Sequence, residues 1–242
     1  MSLDTIGKSA ETFYPINIKL KGKRVLFCGG SQPVVAEISR LIDFGANVDV
    51  VAPHMAAELQ DLALAYGARI TLHKRKLAET DFSGLRSGKY SLAFAYSRDC
   101  AENEKLATEA HAHRVMVSTI DDICNSDYVI PSIIKRGHLK IAVSADSISQ
   151  PLERALLQRI EASFVSEIDN YTLFLTAMQE LIAGCAQDEA LKKPSVFSKL
   201  MRDLAESDEI LSALERKNFE EANHHAQALL QQTKAEVTEH AS

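Results

Sequence analysis

Two short stretches of the sequence combine residue types and spacing that are suited to chemistry. Gly29-Gly30-Ser31 follows an apolar run of strand type, and Asp121-Asp122 follows a second such run later in the chain. A glycine turn between a strand and a helix brings backbone N–H groups close to a pyrophosphate, which is how dinucleotide cofactors are held. A carboxylate beyond a strand end can serve as a general base. The sequence therefore offers one candidate nucleotide site and one candidate site for proton transfer.

The glycine turn departs from the usual dinucleotide pattern in the residues that follow it. Ser31 adds a side chain, Pro33 lacks the N–H that would face an anion, and Val34 is bulky where a small residue favours close packing. No Asp or Glu stands at residues 52–54, after the second strand, to hold a ribose. These residues leave two interpretations open: a tight turn that binds nothing, and a cofactor site that holds its nucleotide weakly.

The acidic pair Asp121-Asp122 also has two interpretations. Carboxylates directly after a strand commonly cap a helix or form a turn. The carboxyl ends of parallel strands are, however, the place where ligands bind in open α/β sheets. A catalytic role for the pair therefore stands beside the simpler alternative of a turn.

The order of the elements predicts an α/β fold. Apolar strands alternate with helices up to about residue 120, which indicates a Rossmann-like parallel sheet with helices on both faces. After residue 122 the pattern changes to an antiparallel strand pair around Arg136-Gly137, and then to helices alone. We predict three domains: the sheet domain at residues 13–122, a small dimerisation segment at residues 123–164 and a C-terminal helical domain at residues 165–242.

Composition excludes several classes of function. The net charge of −6 without a basic stripe argues against nucleic-acid binding, and no apolar run is long enough to span a membrane. The N-terminus does not have the pattern of a secretory signal. Four scattered cysteines are typical of reduced thiols in the cytoplasm and do not have the paired spacing of a structural metal site.

Three longer stretches carry a resemblance to a known family. They are "FYPINIKLKGKRVLFCGG", "FGANVDVVAP" and "DDICNSDYVIPSIIKRGHLKIAVS", and the order and spacing of their motifs are specific. Together with the C-terminal "DEILSALERKNFEEA", they resemble the precorrin-2 dehydrogenase and sirohydrochlorin ferrochelatase family, the type found at the N-terminus of siroheme synthase. The likeness covers roughly residues 13–235.

The resemblance implies an NAD(P)-binding domain at residues 13–122 and an enzyme of siroheme biosynthesis. Members of the family oxidise precorrin-2 to sirohydrochlorin with NAD, and then insert Fe(II) as a substrate to give siroheme. The catalytic aspartate of the family falls on Asp121, which would act as the general base in both steps. A homodimer and a tetrapyrrole substrate are implied as well.

The remaining contacts of the family are carried over by position. The implied NAD contacts are Gly29, Gly30, Ser31, Gln32, Pro33, Pro53, His54 and Ser97. The implied tetrapyrrole contacts are Asn125, Ser144 and Ser149.

This chain departs from the family in both of its glycine loops. The third glycine after the first strand is replaced by Ser31, and the two glycines of the loop "SADSISQP" are replaced by Asp146 and Ser147. Arg98 stands near the expected nicotinamide end. The combination indicates a divergent member, and two alternatives remain: a chelatase that no longer uses NAD, and a non-catalytic carrier of a tetrapyrrole or haem.

Overall fold

The computed structural model describes residues 12–120, 122–136, 139–146, 149–184, 191 and 193–239. The chain divides into two compact units. The first comprises Met1–Ile130 with Asp146–Ile148, and the second comprises Pro131–Ala145 with Ser149–Ser242. None of the helices in the described ranges is long and apolar enough to cross a membrane.

The first unit is a five-stranded parallel sheet in the order β3-β2-β1-β4-β5. Strands and helices alternate along the chain as β1 (Arg24–Cys28), α1 (Gln32–Asp43), β2 (Asn47–Val51), α2 (Ala57–Tyr66), β3 (Ile70–His73), α3 (Glu79–Arg86), β4 (Leu92–Ala95), α4 (Cys100–Ala112) and β5 (Met116–Thr119). Single 3₁₀ turns lie at Gly67–Arg69 and Ile123–Asn125. The predicted α/β class is confirmed.

The sheet is buried on both faces, which explains why its strands read as apolar runs. One face packs under α1 through Val34, Ile38, Leu41 and Ile42, which recur at the spacing of one helix face. The other face packs under α3 and α4, with Phe82 among the largest buried side chains. Helix α3 was not predicted, because its polar sequence has a short apolar face.

Aromatic rings fill the α1 side of the sheet next to β4. The rings of Phe27 and Phe94 stack with centroids 4.9 Å apart, and Tyr96 and Tyr128 meet Phe94 edge to face at 5.6 Å. The Tyr128 hydroxyl donates to the carbonyl oxygen of Ala93 at 2.9 Å. Burial raises the pKa of Tyr128 well above its ordinary value, so the hydroxyl stays a donor.

The outer edge of β5 is covered by the chain that follows it. The N–H of Asp127 donates to the carbonyl oxygen of Val117 at 2.8 Å, and the N–H of Val117 donates back to the Asp127 carboxylate at 2.9 Å. The N–H of Thr119 donates to the hydroxyl of Ser126 at 2.9 Å. Side chains thus accept the bonds that a further strand would take.

A buried ionic network lies within the sheet at Asp49 of β2. This residue is 1% exposed, and its carboxylate accepts bonds from Arg24 at 2.5 Å, Lys89 at 2.7 Å and Tyr90 at 2.9 Å. Burial alone would raise the pKa of Asp49. The bonds from Lys89 and Tyr90 and the nearby positive charges outweigh burial and hold that pKa below its ordinary value.

In the described part of the second unit, an antiparallel strand pair is joined to four helices. Its elements are β6 (Ser132–Arg136), β7 (Leu139–Val143), α5 (Gln150–Gly184), α6 (Pro194–Glu206), α7 (Asp208–Glu215) and α8 (Phe219–Glu239). Helix α5 is 35 residues long, and no Gly or Pro interrupts it between Pro151 and Gly184. The expected boundary at residues 164/165 lies inside this helix, so the strand pair and the helices share one unit.

Replacing Asp49 by Asn tests the ionic network, because the amide keeps the shape of the side chain and loses its charge. We expect the free energy of unfolding at neutral pH to fall by about 2 kcal/mol. This is less than for a fully buried pair, since Arg24 and Lys89 are partly exposed. Urea unfolding near pH 7 and near pH 3 measures the effect.

The pH dependence follows from the depressed pKa of Asp49. Its contribution is complete above the unfolded-state pKa of about 3.9 and is lost as the pH falls through the lower folded-state pKa. The difference between parent and variant should therefore shrink near pH 3. Asp61→Asn on the exposed face of α2 is the control, and equal stability of the two variants at neutral pH would contradict the assignment.

Candidate active site at the carboxyl edge of the parallel sheet

The glycine turn after β1 is tightly enclosed by neighbouring backbone. A Cβ added to Gly29, whose φ is +138°, would lie 2.4 Å from the carbonyl oxygen of Tyr96. A Cβ added to Gly30 would lie 2.3 Å from the carbonyl oxygen of His54. Both glycines are therefore required by the strand ends on either side, whether or not a ligand binds.

Helix α1 begins directly after this turn, with Ser31 at the N-cap. The Ser31 hydroxyl makes no capping bond, and its carbonyl oxygen accepts the N–H of Val34 at 3.1 Å. Pro33 has no N–H to offer, and Gln32 and Pro33 are exposed. The helix end, the unused Ser31 hydroxyl and the N–H of Gln32 fit a phosphate group, with one donor fewer than a glycine-rich loop supplies.

The loop after β2 is bonded to the glycine turn. The N–H of Ala56 donates to the carbonyl oxygen of Gly30 at 2.8 Å. This bond, and the close contact of His54 with Gly30, hold Pro53 and His54 beside the start of α1. The His54 side chain is exposed.

The loop after β4 is clamped by the first turn of α4. Asn103 accepts the N–H of Ser97 at 2.8 Å and donates to the carbonyl oxygen of Ser97 at 2.9 Å. The Ser97 hydroxyl donates to Glu102 at 2.7 Å. Asp99 caps α4 by accepting the N–H of Ala101 at 3.1 Å. The polar groups of Ser97 therefore serve to fix the loop.

Glu102 joins two loops at this edge of the sheet. One carboxylate oxygen accepts the N–H of Leu77, in the loop after β3, at 2.9 Å, and the other accepts the Ser97 hydroxyl. The thiol of Cys28, at the end of β1, lies near enough to this carboxylate to be affected by its negative charge. Burial, followed by the negative charge of Glu102, raises the pKa of Cys28, so this thiol remains protonated.

The acidic pair after β5 is described only at Asp122, because Asp121 lies outside the described residues. Asp122 forms the 3₁₀ turn: its carboxylate accepts the N–H of Asn125 at 3.3 Å and also bonds the Asn125 amide. The Thr119 hydroxyl donates to the carbonyl oxygen of Asp122. The turn-forming interpretation accounts for Asp122, whose carboxylate also engages Asn125, a predicted tetrapyrrole contact.

The other two candidate substrate residues belong to the second unit. Ser144 is exposed directly after β7, and the Ser149 hydroxyl accepts the N–H of Leu152 at 3.3 Å at the start of α5. The buried carboxylate of Glu153 accepts the N–H of Ala145 at 2.7 Å and the Ser132 hydroxyl at 3.3 Å. Glu153 thus ties the loop after β7 to both β6 and α5.

The structure brings the proposed cofactor residues together at one edge of the parallel sheet. It also reveals clamping residues that the sequence did not suggest, two at this edge and one in the second unit. The carboxyl ends of β1, β2 and β4 place Gly29–Pro33, Pro53, His54 and Ser97 side by side. Glu102, Asn103 and Glu153 were missed, although an acid or amide in the first turn after a strand end is a signal for such a clamp. Among the described residues, no three His, Cys, Asp or Glu side chains are grouped to hold a metal.

Comparisons with known proteins agree with this architecture. Residues 16–132 match a family model described as putative NAD(P)-binding. Siroheme synthase of Chromobacterium violaceum is 33% identical over 62% of this chain and 30% of its own length. Siroheme synthase of Gluconacetobacter diazotrophicus is 30% identical over 72% of this chain and 36% of its own length. The chain thus spans about a third of the length of these relatives.

One solved structure, "SirC, precorrin-2 dehydrogenase", matches with a TM-score of 0.68 and 22% identity, over 92% of this chain and all of that one. That likeness extends the agreement in fold to the second unit. The relatives and the fold together support the precorrin-2 dehydrogenase and siroheme synthase family for this chain. The family resemblance inferred from the sequence motifs is confirmed.

Removing the Glu102 carboxylate tests its role in this family member. We expect Glu102→Ala to speed amide hydrogen exchange at Leu77 and Ser97 about tenfold. Leu77 loses the charged acceptor of its own N–H, and Ser97 loses the charged acceptor of its hydroxyl, which helps to fix the loop. Exchange followed by mass spectrometry measures this. Glu104→Ala, an exposed position on the same helix, is the control. Equal exchange in the two variants would show that Glu102 does not hold these loops.

Proposed function

We propose that this chain carries out the oxidation step of siroheme biosynthesis, converting precorrin-2 to sirohydrochlorin with a nicotinamide dinucleotide as hydride acceptor. One arrangement at the carboxyl edge of the sheet supports the proposal. The start of α1, where the Ser31 hydroxyl makes no capping bond, lies beside the fixed loops after β2 and β4. Siroheme synthases and a precorrin-2 dehydrogenase share this family, which supports the choice of substrate.

The proposed cofactor position follows from the chemistry of the edge. The start of α1, with Gln32 and the Ser31 hydroxyl, would bind the pyrophosphate, and Pro53 and His54 would border the adenosine ribose. The clamped loop at Ser97 would orient the nicotinamide end, whose ring supplies hydride acceptance when bound. Because Pro33 removes one donor, we expect the dinucleotide to bind weakly.

Asp121 is proposed as the general base on the strength of the family motif. As a hydride leaves precorrin-2, one proton must also leave, and a carboxylate can accept it. In a second proposed step Fe(II) enters sirohydrochlorin as a substrate and two pyrrole N–H protons are released. The same carboxylate can attract the cation and take up a proton. Asn125, Ser144 and Ser149 stay as proposed tetrapyrrole contacts.

Replacing Asp121 by Ala tests the base. We expect precorrin-2 oxidation, followed as reduced cofactor formed, to fall at least 100-fold, within the range of general-base contributions. The circular dichroism spectrum and the unfolding temperature should stay unchanged. Asp122→Asn is the matched control, since this neighbour forms a turn, and it should lose less than about tenfold.

The outcomes separate the proposal from its two alternatives. Unchanged turnover in Asp121→Ala would refute the assignment of the base. A parent protein that inserts Fe(II) without oxidising precorrin-2 would be a chelatase alone. Tetrapyrrole binding without either reaction would identify a carrier.

We also propose that the protein is a homodimer that pairs through β6, β7 and the first half of α5. A two-stranded sheet is marginal by itself and leaves strand edges open to pairing. The first half of α5 presents Leu152, 52% exposed, and Leu156, 40% exposed, and Leu139 of β7 is exposed as well. Exposed leucines on both the strand pair and the adjoining helix fit a second copy of the chain better than they fit water.

A charged side chain on this surface should separate the two copies. We expect Leu156→Glu to halve the molar mass measured by light scattering after size-exclusion chromatography, because burying an unpaired carboxylate is costly. Leu64→Glu is the control, since Leu64 of α2 is 83% exposed and lies in the other unit. A monomeric parent, or a Leu156→Glu variant with the parent's mass, would contradict this interface.

A further inference from the structure

We propose that Arg98 binds the pyrophosphate of the dinucleotide on its nicotinamide side, where the guanidinium supplies donors and positive charge that the glycine turn after β1 lacks. The inference rests on the proposed function and deepens it by assigning a cofactor-binding role to a residue outside that turn. It concerns the carboxyl ends of β1 and β4, which are neighbours in the sheet.

The loop after β4 packs directly against the glycine turn. The atoms nearest to a Cβ added to Gly29 belong to the peptide bond between Tyr96 and Ser97, whose nitrogen would lie 3.4 Å away. Arg98 is the next residue along this loop, about 3.8 Å from Ser97 between the two Cα atoms. Because the turn leads straight into α1, a long arginine side chain from this position has a phosphate at the start of α1 within its reach.

The backbone of Arg98 is held on both sides. Before it, Asn103 accepts the N–H of Ser97 at 2.8 Å and donates to the Ser97 carbonyl oxygen at 2.9 Å. After it, the N–H of Asp99 donates to the Ser97 hydroxyl at 3.2 Å, and the Asp99 carboxylate caps α4. The loop therefore presents Arg98 without having to be ordered by the ligand, which lowers the entropic cost of binding.

The Arg98 side chain is exposed and is not neutralised by its neighbours. None of the residues that the structure describes forms a hydrogen bond or an ion pair with its guanidinium. Asp99 is engaged in capping α4 and lies 3.9 Å from the Lys76 ammonium group. Both carboxylate oxygens of Glu102 accept hydrogen bonds from other groups. A cation without a partner acid at the ligand edge of the sheet favours an anion there.

The start of α1 offers too few donors for a pyrophosphate by itself. Pro33 has no N–H, which leaves the Ser31 hydroxyl and the N–H of Gln32. A planar guanidinium binds two oxygens of a phosphate group at once through charge-assisted hydrogen bonds. Arg98 can therefore replace the donor that Pro33 removes.

Isothermal titration calorimetry on the full chain tests this contact without relying on turnover. We expect Arg98→Gln to weaken NAD binding about tenfold at low ionic strength, because a charge-assisted contact is lost. NADH and ADP-ribose contain the same pyrophosphate and should lose affinity by the same factor. The loss should shrink as salt is added, because Arg98 is exposed.

Two further variants separate a direct contact from a general effect of charge. Arg98→Lys keeps the charge and loses the planar fork, so it should lose less affinity than Arg98→Gln. Arg114→Gln is the matched control, because Arg114 is exposed just before β5, at the opposite edge of the sheet, and it should bind NAD as the parent does. An equal loss in Arg98→Lys and Arg98→Gln, or in Arg114→Gln and Arg98→Gln, would contradict the contact.

The outcomes distinguish this inference from the proposed function. Arg98→Gln binding of NAD and ADP-ribose equal to the parent's would overturn the contact and leave the dehydrogenase proposal standing. If the affinities stayed equal while the KM for precorrin-2 rose, Arg98 would bind the substrate instead. A loss for NAD without one for NADH would place the guanidinium at the nicotinamide ring and overturn the pyrophosphate assignment. A parent that binds no dinucleotide would overturn both proposals.

Discussion

The organisation of the first unit depends on the lack of space around Gly29 and Gly30. The carbonyl oxygens of Tyr96 and His54 occupy the positions where their side chains would lie. Because any side chain there would push the ends of β4 and β2 away from β1, the two glycines fix the distance between three strand ends. That spacing also fixes the direction in which α1 leaves the sheet, and with it the position of the candidate phosphate site.

Polar side chains then hold the loops that this spacing brings together. Asn103 and Glu102 use two adjacent positions of α4 to bind the loops after β3 and β4. A loop fixed by two or three such bonds does not have to be ordered when a ligand arrives, which lowers the entropic cost of binding. The departures from the family in the glycine turn are thus set in an otherwise rigid frame.

The fold was predictable to the extent that burial leaves a pattern in the sequence. The central strands β1, β2 and β4 are covered on both faces, so they are mostly apolar, and the alternation of strands with helices gave the correct class. Helix α3 was missed because few of its residues are apolar, and α5 was divided in two because its apolar spacing changes near residue 165 while its backbone continues. A boundary between units is set by packing between residues distant in sequence, and local sequence patterns do not report that packing.

The candidate site was predictable only where strand ends determine it. Gly29, Pro53, His54 and Ser97 were expected as cofactor contacts from the family resemblance, and the structure places each of them just after a strand, while their binding role stays a proposal. Glu102 and Glu153 were not expected, because a carboxylate on a helix usually faces solvent and only the folded chain shows which backbone N–H groups it accepts.

The covered edge of β5 has a consequence for the protein in a crowded solution. An edge strand with open N–H and carbonyl groups is a template on which other chains can polymerise. Here an intruding strand would have to displace Ser126 and Asp127 from Thr119 and Val117, and would bring its own backbone against a carboxylate. The turn that follows β5 thereby protects the sheet against aggregation from that side.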